Sequence, residues 1–241
     1  VPAVTEPSAL NAGLSSARLA AVVSGRTQPS RSTEPRLVVI GTISSVSLPA
    51  AWAVAARRCD STAYSSIIWR VKHLGISNYT ARFKTFDATL VFNPADLAAN
   101  SVEVTIDPLS VETDFQGDYK ASHADSPYAT WNEDLARNPT WFNAGAHPQI
   151  TFKSTSATQS SPTSGTVTGD LTFLGVTKPV TLDVTYNGVV QLPWTPEQDR
   201  IGFSAKTTLK RSDFGMNSNL EYIGDEVEII IETEFLEALP E

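Results

Sequence analysis

The chain has 241 residues, of which 41% are hydrophobic and 18% are charged, values typical of a soluble globular protein of one or two domains. Residues 1–56 hold two glutamates and four arginines, so residues 57–241 keep 24 acidic and 14 basic side chains, a net charge of −10. Phosphate backbones repel so acidic a domain, which argues against nucleic acid as a partner, and the single cysteine, Cys59, rules out an intrachain disulfide.

The first 56 residues show no sustained hydrophobic period and are predicted to be a disordered extension that includes a signal peptide at about residues 36–55. Within it, residues 37–56 form an uncharged, partly apolar run that ends in two overlapping A-x-A cleavage sites. A disordered or partly buried lead-in and a retained membrane anchor are the alternatives. The expected domain is therefore residues 57–241, and the expected location is periplasmic or secreted, with the cytoplasm as the alternative.

Strands are predicted from Ser65 onward, because apolar and polar residues alternate with a period of two. The residues that share an apolar face are Ile67, Trp69, Val71 and His73; Leu90 and Phe92; Val102, Val104 and Ile106; Ile150 and Phe152; Val167, Leu171 and Phe173; Val180, Leu182, Val184 and Tyr186; Ile201, Phe203 and Ala205; and Val227, Ile229 and Ile231. The clearest pair is a hairpin over residues 165–189, with a predicted turn at residues 174–178 that Pro179 closes. Residues 132–137, NEDLAR, are the best short helix.

About eight sequential strands, each with one polar face, predict an all-β antiparallel barrel or sandwich. An eight-stranded barrel has an interior that side chains fill or that holds one slender ligand. The pattern of the residues alone does not decide between these two interiors.

Six segments, in order over about residues 65–235, resemble the YceI family of lipocalin-like, polyisoprenoid-binding proteins. They read SSIIWRVKHLG (65–75), ARFKTFDATLVF (81–92), VEVTIDPLSVET (102–113), WFNAGAHPQITFKST (141–155), GDLTFLGVTKPVTLDV (169–184) and GFSAKTTLKRSDFG (202–215). The resemblance implies one eight-stranded antiparallel lipocalin-like barrel with a short helix near one end and an elongated hydrophobic tunnel. It also implies an isoprenoid or fatty-acid-type lipid as ligand, such as a polyprenyl quinone.

The chain departs from the family where members carry R-D-x-H-L, because residues 131–135 read WNEDL. The family's arginine and histidine near the tunnel mouth are therefore absent, and we expect a quinone or another neutral head group rather than a prenyl diphosphate. His73, Tyr119, Tyr128, Trp131 and Trp141 are the groups available to meet that head.

The predicted function is non-enzymatic binding, storage or transport of such a lipid, without a cofactor. The alternative is a structural or interaction barrel with a filled core, accessory to a membrane redox protein. Transient membrane contact and a dimer are compatible with either function. The predicted ligand-binding residues are Trp69, Val71, His73, Phe83, Phe92, Val104, Trp141, Phe152, Leu171, Phe173, Leu182 and Phe203.

Catalysis and metal binding are not expected. The sequence has no G-x-S-x-G elbow and no metal-ligand spacing, and its three histidines are dispersed. Adjacent carboxylates such as Glu133 and Asp134 are interpreted as a solvated helix face.

Overall fold

The structure is a computed structural model that describes residues 56–58, 64–93 and 96–238. The predicted signal peptide at about residues 36–55 lies outside the described residues. Within these ranges the fold comprises eleven strands, two short α-helices and three 3-10 turns. The strands are β1 (Ala56–Arg58), β2 (Ser66–His73), β3 (Ser77–Phe83), β4 (Phe86–Val91), β5 (Ser101–Ile106), β6 (Val111–Glu112), β7 (Ile150–Ser161), β8 (Ser164–Phe173), β9 (Val176–Leu192), β10 (Thr195–Lys210) and β11 (Ile223–Glu237). The helices are α1 (Tyr119–Ser122) and α2 (Trp131–Arg137).

All strand pairings are antiparallel and join one sheet in the order β1-β4-β5-β7-β8-β9-β10-β11-β2-β3-β6, and β1 also pairs with β11. β1 and β2 lie one after the other along the same side of β11. In the same way β4 follows β3 after two residues, and β5 and β6 pair with β4 and β3 respectively. The eleven strands thus occupy about eight positions.

This arrangement confirms the predicted all-β antiparallel class and the match to a lipocalin-like barrel. The strand count of eight is approximate, because the chain breaks three of the eight positions into pairs of shorter strands. The sheet is not one uninterrupted closed ladder, since the pairing stops between β3 and β4 and between β5 and β6.

Alternation places the apolar side chains on the inner face of the sheet. In β2, Ile67, Trp69 and Val71 are buried, whereas Arg70 and Lys72, which flank Val71, are exposed. The outer face carries hydroxyl groups and ion pairs such as Lys153 with Glu103, whose Nζ and Oε1 atoms are 2.7 Å apart. The core therefore lies along the axis that the strands surround.

The β8–β9 hairpin differs from the prediction at its turn. Leu174 and Gly175 alone connect the strands, with φ angles of 49° and 76°, as a type I′ turn requires. Pro179 lies within β9, not at its start. A proline is tolerated there because this part of β9 pairs only with β8, its pairing with β10 beginning at Asp183.

Because neighbouring strands are antiparallel, the connections between them lie at two opposite ends of the sheet. The helical end holds the β2–β3 turn, residues 107–149 with both α-helices, the β8–β9 turn and residues 211–222. The hairpin end holds the β4–β5, β7–β8 and β9–β10 connections. The predicted helix at residues 132–137 is present as α2, where the Thr130 hydroxyl accepts a hydrogen bond from the Glu133 N–H, an N-cap of the expected kind.

Candidate functional site

Two apolar cavities lie inside the sheet, one towards each end. The cavity at the helical end has a volume of about 660 Å³ and is lined by β2, β3, β5, β7–β11 and the connections at that end. The cavity at the hairpin end has a volume of about 590 Å³. Volumes of this size are in the range of small-molecule sites and are much larger than the packing defects of a filled core.

Five side chains line both cavities, and we call this set the waist. Each of five strands contributes one member: Ile67, Val104, Phe152, Leu182 and Ile231. The two cavities therefore share part of their walls in the middle of the sheet.

A buried glycine on β8 lies directly beneath the ring of Phe152, one of the waist residues. Gly169 on β8 is buried, and a Cβ atom there would come within 2.5 Å of both the Phe152 ring and the Lys153 carbonyl oxygen. The Phe152 ring therefore lies directly over the backbone of Gly169, a position that only glycine allows.

The structure places all twelve predicted ligand-binding residues on the cavity walls. The helical-end cavity is lined by Trp69, Val71, His73, Phe83, Val104, Trp141, Phe152, Leu171, Phe173 and Leu182. The hairpin-end cavity is lined by Phe92 and Phe203, besides the waist residues. Contact between these residues and a ligand stays a prediction.

An aromatic wall closes much of the helical-end cavity. Trp131 of α2 donates its indole N–H to the Tyr79 hydroxyl at 2.9 Å, and its ring meets Trp141 edge-on, with centroids 6.0 Å apart. Trp69 packs against Phe142 with centroids 6.0 Å apart at 86°. These contacts hold flat, apolar surfaces in fixed orientations at this end.

One carboxylate lies in that wall, contrary to the expectation that Glu133 and Asp134 form a solvated face. Glu133 is half-exposed at the start of α2, but Asp134 is only 6% exposed and lines the cavity. Its carboxylate accepts hydrogen bonds from the Tyr119 hydroxyl and, at 2.7 Å, from the Asn138 amide. The difference arises because successive residues of a helix point about 100° apart, so one of two adjacent acids can turn inward.

Tyr119 connects this carboxylate to the surface. Burial raises the pKa of Tyr119, and the hydrogen bond to Asp134 raises it further. The His123 ring stacks on the Tyr119 ring with centroids 4.5 Å apart. The phenol therefore remains a protonated donor to Asp134 at neutral pH, and the pair forms a negatively charged polar corner in an otherwise apolar wall.

Arg211 is the second ionic group that sequence reasoning missed. It is 3% exposed, lines the helical-end cavity and donates to the carbonyl oxygens of Met216, Ile223 and Gly224 at 3.0, 2.8 and 2.9 Å. Burial lowers its pKa, and the charge of Asp225 partly offsets this effect. Three of the five N–H donors of Arg211 are thus used by the backbone, and these bonds tie Arg211 to Met216 and to the first two residues of β11.

Asp225 completes this support. Burial alone would raise its pKa, but hydrogen bonds from the N–H and hydroxyl of Ser212, at 2.9 and 2.8 Å, together with the charges of Lys210 and Arg211, bring the pKa below 3.8. The carboxylate is therefore ionised at neutral pH and fixes the start of the connection.

The hairpin-end cavity differs in its polarity. No charged side chain lines it in the described part of the chain, and its polar groups are hydroxyls and amides, most of them in and beside the β7–β8 turn. No helix within the described ranges is long and apolar enough to span a membrane.

Known proteins share this sequence and this fold. Residues 59–235 match the model of the YceI-like domain. Protein YceI of Escherichia coli O17:K52:H18 is 35% identical over 171 residues, which cover 71% of this chain and 81% of that protein. The UPF0312 protein PSPA7_0523 of Pseudomonas paraeruginosa is 34% identical over the same length.

Solved structures agree. The Campylobacter jejuni YceI protein superimposes with a TM-score of 0.56 at 30% identity, covering 70% of this chain and 90% of that one. A polyisoprenoid binding domain from Saccharophagus degradans shares the fold, with a TM-score of 0.50 at 14% identity, over 77% of this chain and 100% of that one. With six matching segments, a barrel-like antiparallel sheet and a family match over most of its length, the chain belongs to the YceI-like domain family.

Proposed function

We propose that the protein binds a long-chain isoprenoid-like lipid, of the polyprenyl quinone type, in its two cavities, and carries or stores it without catalysis. The observation that carries this proposal is the pair of apolar cavities that share a five-residue waist. The fold that this chain shares with a polyisoprenoid binding domain from Saccharophagus degradans adds support.

Energetics favour a carrier over an irreversible trap. A buried prenyl chain of about 30 carbons would nominally gain ~24 kcal/mol at about 0.8 kcal/mol per methylene, above the practical ceiling of about 18–21 kcal/mol for non-covalent binding. The relevant competitor is a bilayer, which stabilises the same chain almost equally. Exchange between the bilayer and the protein would then lie near balance, and a periplasmic or secreted location would suit such exchange.

The direct test is to identify what the protein carries when it is purified from its native producer. We expect mass spectrometry of an organic extract to find a long-chain lipid at close to one molecule per chain. A second protein purified by the same steps controls for lipid carried over from membranes. A clean extract would contradict the proposal and favour a structural barrel that acts through its outer surface.

We further propose that the head group is neutral and occupies the helical end. Asp134 places a buried negative charge in that wall, and Arg211, the one arginine among the described residues that line this cavity, already donates to three carbonyl groups. A diphosphate would therefore be desolvated next to a like charge without a paired cation, which is unfavourable. A quinone or hydroxyl head needs only hydrogen bonds, which His73 and the surrounding tyrosines and tryptophans offer.

Competition between matched ligands tests this preference. We expect a neutral polyprenyl ligand to bind at least about tenfold more tightly than the diphosphate of equal chain length, because one unfavourable charge contact of about 1.4 kcal/mol gives that factor. Asp134→Asn, which keeps the shape of the side chain, should reduce the ratio between the affinities for the neutral ligand and for the diphosphate. Tighter binding of the diphosphate, weakened by salt, would show that a basic site exists and would overturn the neutral-head proposal.

A further inference from the structure

The β9–β10 hairpin extends beyond its neighbours at the hairpin end. β9 has 17 residues and β10 has 16, whereas the last pair between β9 and β8 is Thr185 with Ser164. Just beyond it, the Tyr186 N–H donates to the Thr163 carbonyl at 2.8 Å, where the β7–β8 turn ends. Residues 187–192 therefore extend past the end of β8 for about 20 Å at about 3.3 Å per residue. We call residues 187–196 the hairpin tip.

The tip is apolar and exposed. Trp194 is 75% exposed, and Val189 and Val190, which point to opposite faces of β9, are 38% and 52% exposed. A protruding strand with both faces in solvent usually carries charged side chains, which protect it from aggregation. This tip carries none.

Charge is absent over a longer stretch than the tip itself. Residues 184–196 contain no Asp, Glu, Lys, Arg or His, and the charged residues that flank them are Asp183 and Glu197. The nearest charges along the sequence are thus negative on both sides, and Arg200, which pairs with Val190 across the hairpin, is itself in an ion pair with Glu234 at 3.3 Å. Such a segment is suited to bind a zwitterionic surface, which has no net charge, and the flanking acids would be repelled by an anionic surface.

The tip also adjoins an opening to the interior. The hairpin-end cavity is lined by residues 161–164 of the β7–β8 turn and by Tyr186 at the base of the tip. An apolar surface that contacts lipid at this position would bring the cavity to the lipid as well.

We propose that the tip inserts into the interface of a zwitterionic bilayer and docks the hairpin end of the protein there. Tryptophan prefers this interface, because its ring is apolar and its N–H can still reach polar groups. The choice of a bilayer as partner rests in one respect on the proposed function, since a membrane is the only abundant source of a long apolar ligand. The docking itself is measured without that ligand.

The helical end offers the natural comparison. Ile76 is 84% exposed in the β2–β3 turn, and Leu74 and Tyr222 beside it are 53% and 55% exposed. Charged residues interrupt this surface, however, with Lys72 and Glu221 next to Leu74 and Tyr222 in the exposed part of the chain. Ile76→Glu is therefore a matched control, the same kind of substitution at an equally exposed apolar residue on the opposite end.

Flotation of the full chain with phosphatidylcholine vesicles tests the proposal. We expect the protein to float with these vesicles at both low and high salt. Trp194→Glu should lower the bound fraction about tenfold or more, as the loss of one buried aromatic side chain predicts, whereas Trp194→Phe and Ile76→Glu should leave it nearly unchanged. Unfolding curves of all variants should coincide, because each substitution lies at an exposed position.

Three results would overturn the proposal: no flotation of the wild-type chain, flotation that needs anionic lipid and disappears with salt, or loss of flotation in Ile76→Glu with retention in Trp194→Glu. Mass spectrometry of the lipid extracted from purified Trp194→Glu distinguishes membrane docking from lipid binding in the cavities. A lipid in that extract together with lost flotation supports both proposals, and flotation of a wild-type chain whose extract is clean supports docking while it removes the lipid ligand.

Discussion

Replacing Leu182 by tryptophan is expected to prevent a long isoprenoid from occupying both cavities while a short lipid still binds. Leu182 is a half-buried member of the waist and lines both cavities. The larger tryptophan ring, which extends from β9, would fill the space between the two cavities. If the tail then loses as few as about four buried methylenes, at about 0.8 kcal/mol each, affinity falls by about two orders of magnitude.

Titration with two ligands of the same head group measures this effect, one with a tail long enough for both cavities and one with a tail short enough for a single cavity. Thr181→Trp is the control, since Thr181 is the exposed neighbour on the outer face of the same strand. Equal retention of both ligands in Leu182→Trp would mean that no chain passes the waist. Loss of both ligands, with an unchanged unfolding curve, would mean that the short tail also lies at the waist and does not occupy a single cavity.

Replacing Arg211 by methionine is expected to lower the free energy of unfolding by about 3–5 kcal/mol, because one buried and two partly buried carbonyl groups lose a charged hydrogen-bond donor at once. For a domain of this size the melting temperature should fall by roughly 10 °C. Met216 lies in the connection between β10 and β11, and Ile223 and Gly224 are the first residues of β11, so the connection and the start of β11 should loosen first. Urea unfolding followed by circular dichroism measures the loss.

Arg137→Met is the matched control, because Arg137 is exposed and its Nε atom lies 3.8 Å from Glu133 Oε1 in a surface ion pair. This variant should change the free energy of unfolding by less than about 0.5 kcal/mol. Arg211→Lys, which keeps the charge but not the planar fork of donors, should fall between the two. If Arg211→Met unfolded like Arg137→Met, the three carbonyl contacts would have no part in stability.

The side-chain period of two was enough to predict the fold class and the inward-facing residues. Trp69, Phe152 and Leu182 were assigned to the inner face from their alternation alone, and the structure places them there. This works because a strand has only two faces, so that one buried residue fixes the orientation of its neighbours.

The ionic groups of the helical end could not be predicted in the same way. Asp134 is buried because Tyr119, fifteen residues earlier, and Asn138, one helical turn later, satisfy its carboxylate. Arg211 is buried because a later connection presents three carbonyl groups to it. Both cases depend on partners that only the folded loops bring together. A signal did exist for Asp134, since it precedes Leu135 and Ala136 on the buried side of a short helix.

The number and bounds of the strands were only partly predictable. Burial alternates within β3 and within β4, but the alternation shifts by one residue at positions 84–85, which are both exposed, and there the chain changes partners from β6 to β5. The two-residue turn at Leu174 and Gly175 was missed because Pro179 was interpreted as a strand boundary, although an edge position accepts it.

The close approach of Phe152 to Gly169 means that the width of the proposed tunnel depends on a residue that does not line either cavity. An alanine at position 169 would lie beneath the Phe152 ring, and its methyl group would have to push that ring inward or bend β7 away. A single substitution at position 169 of β8 would therefore change the width available to the tail of a ligand, while every lining side chain stays the same. A survey of variation restricted to the residues that face a ligand would overlook this position.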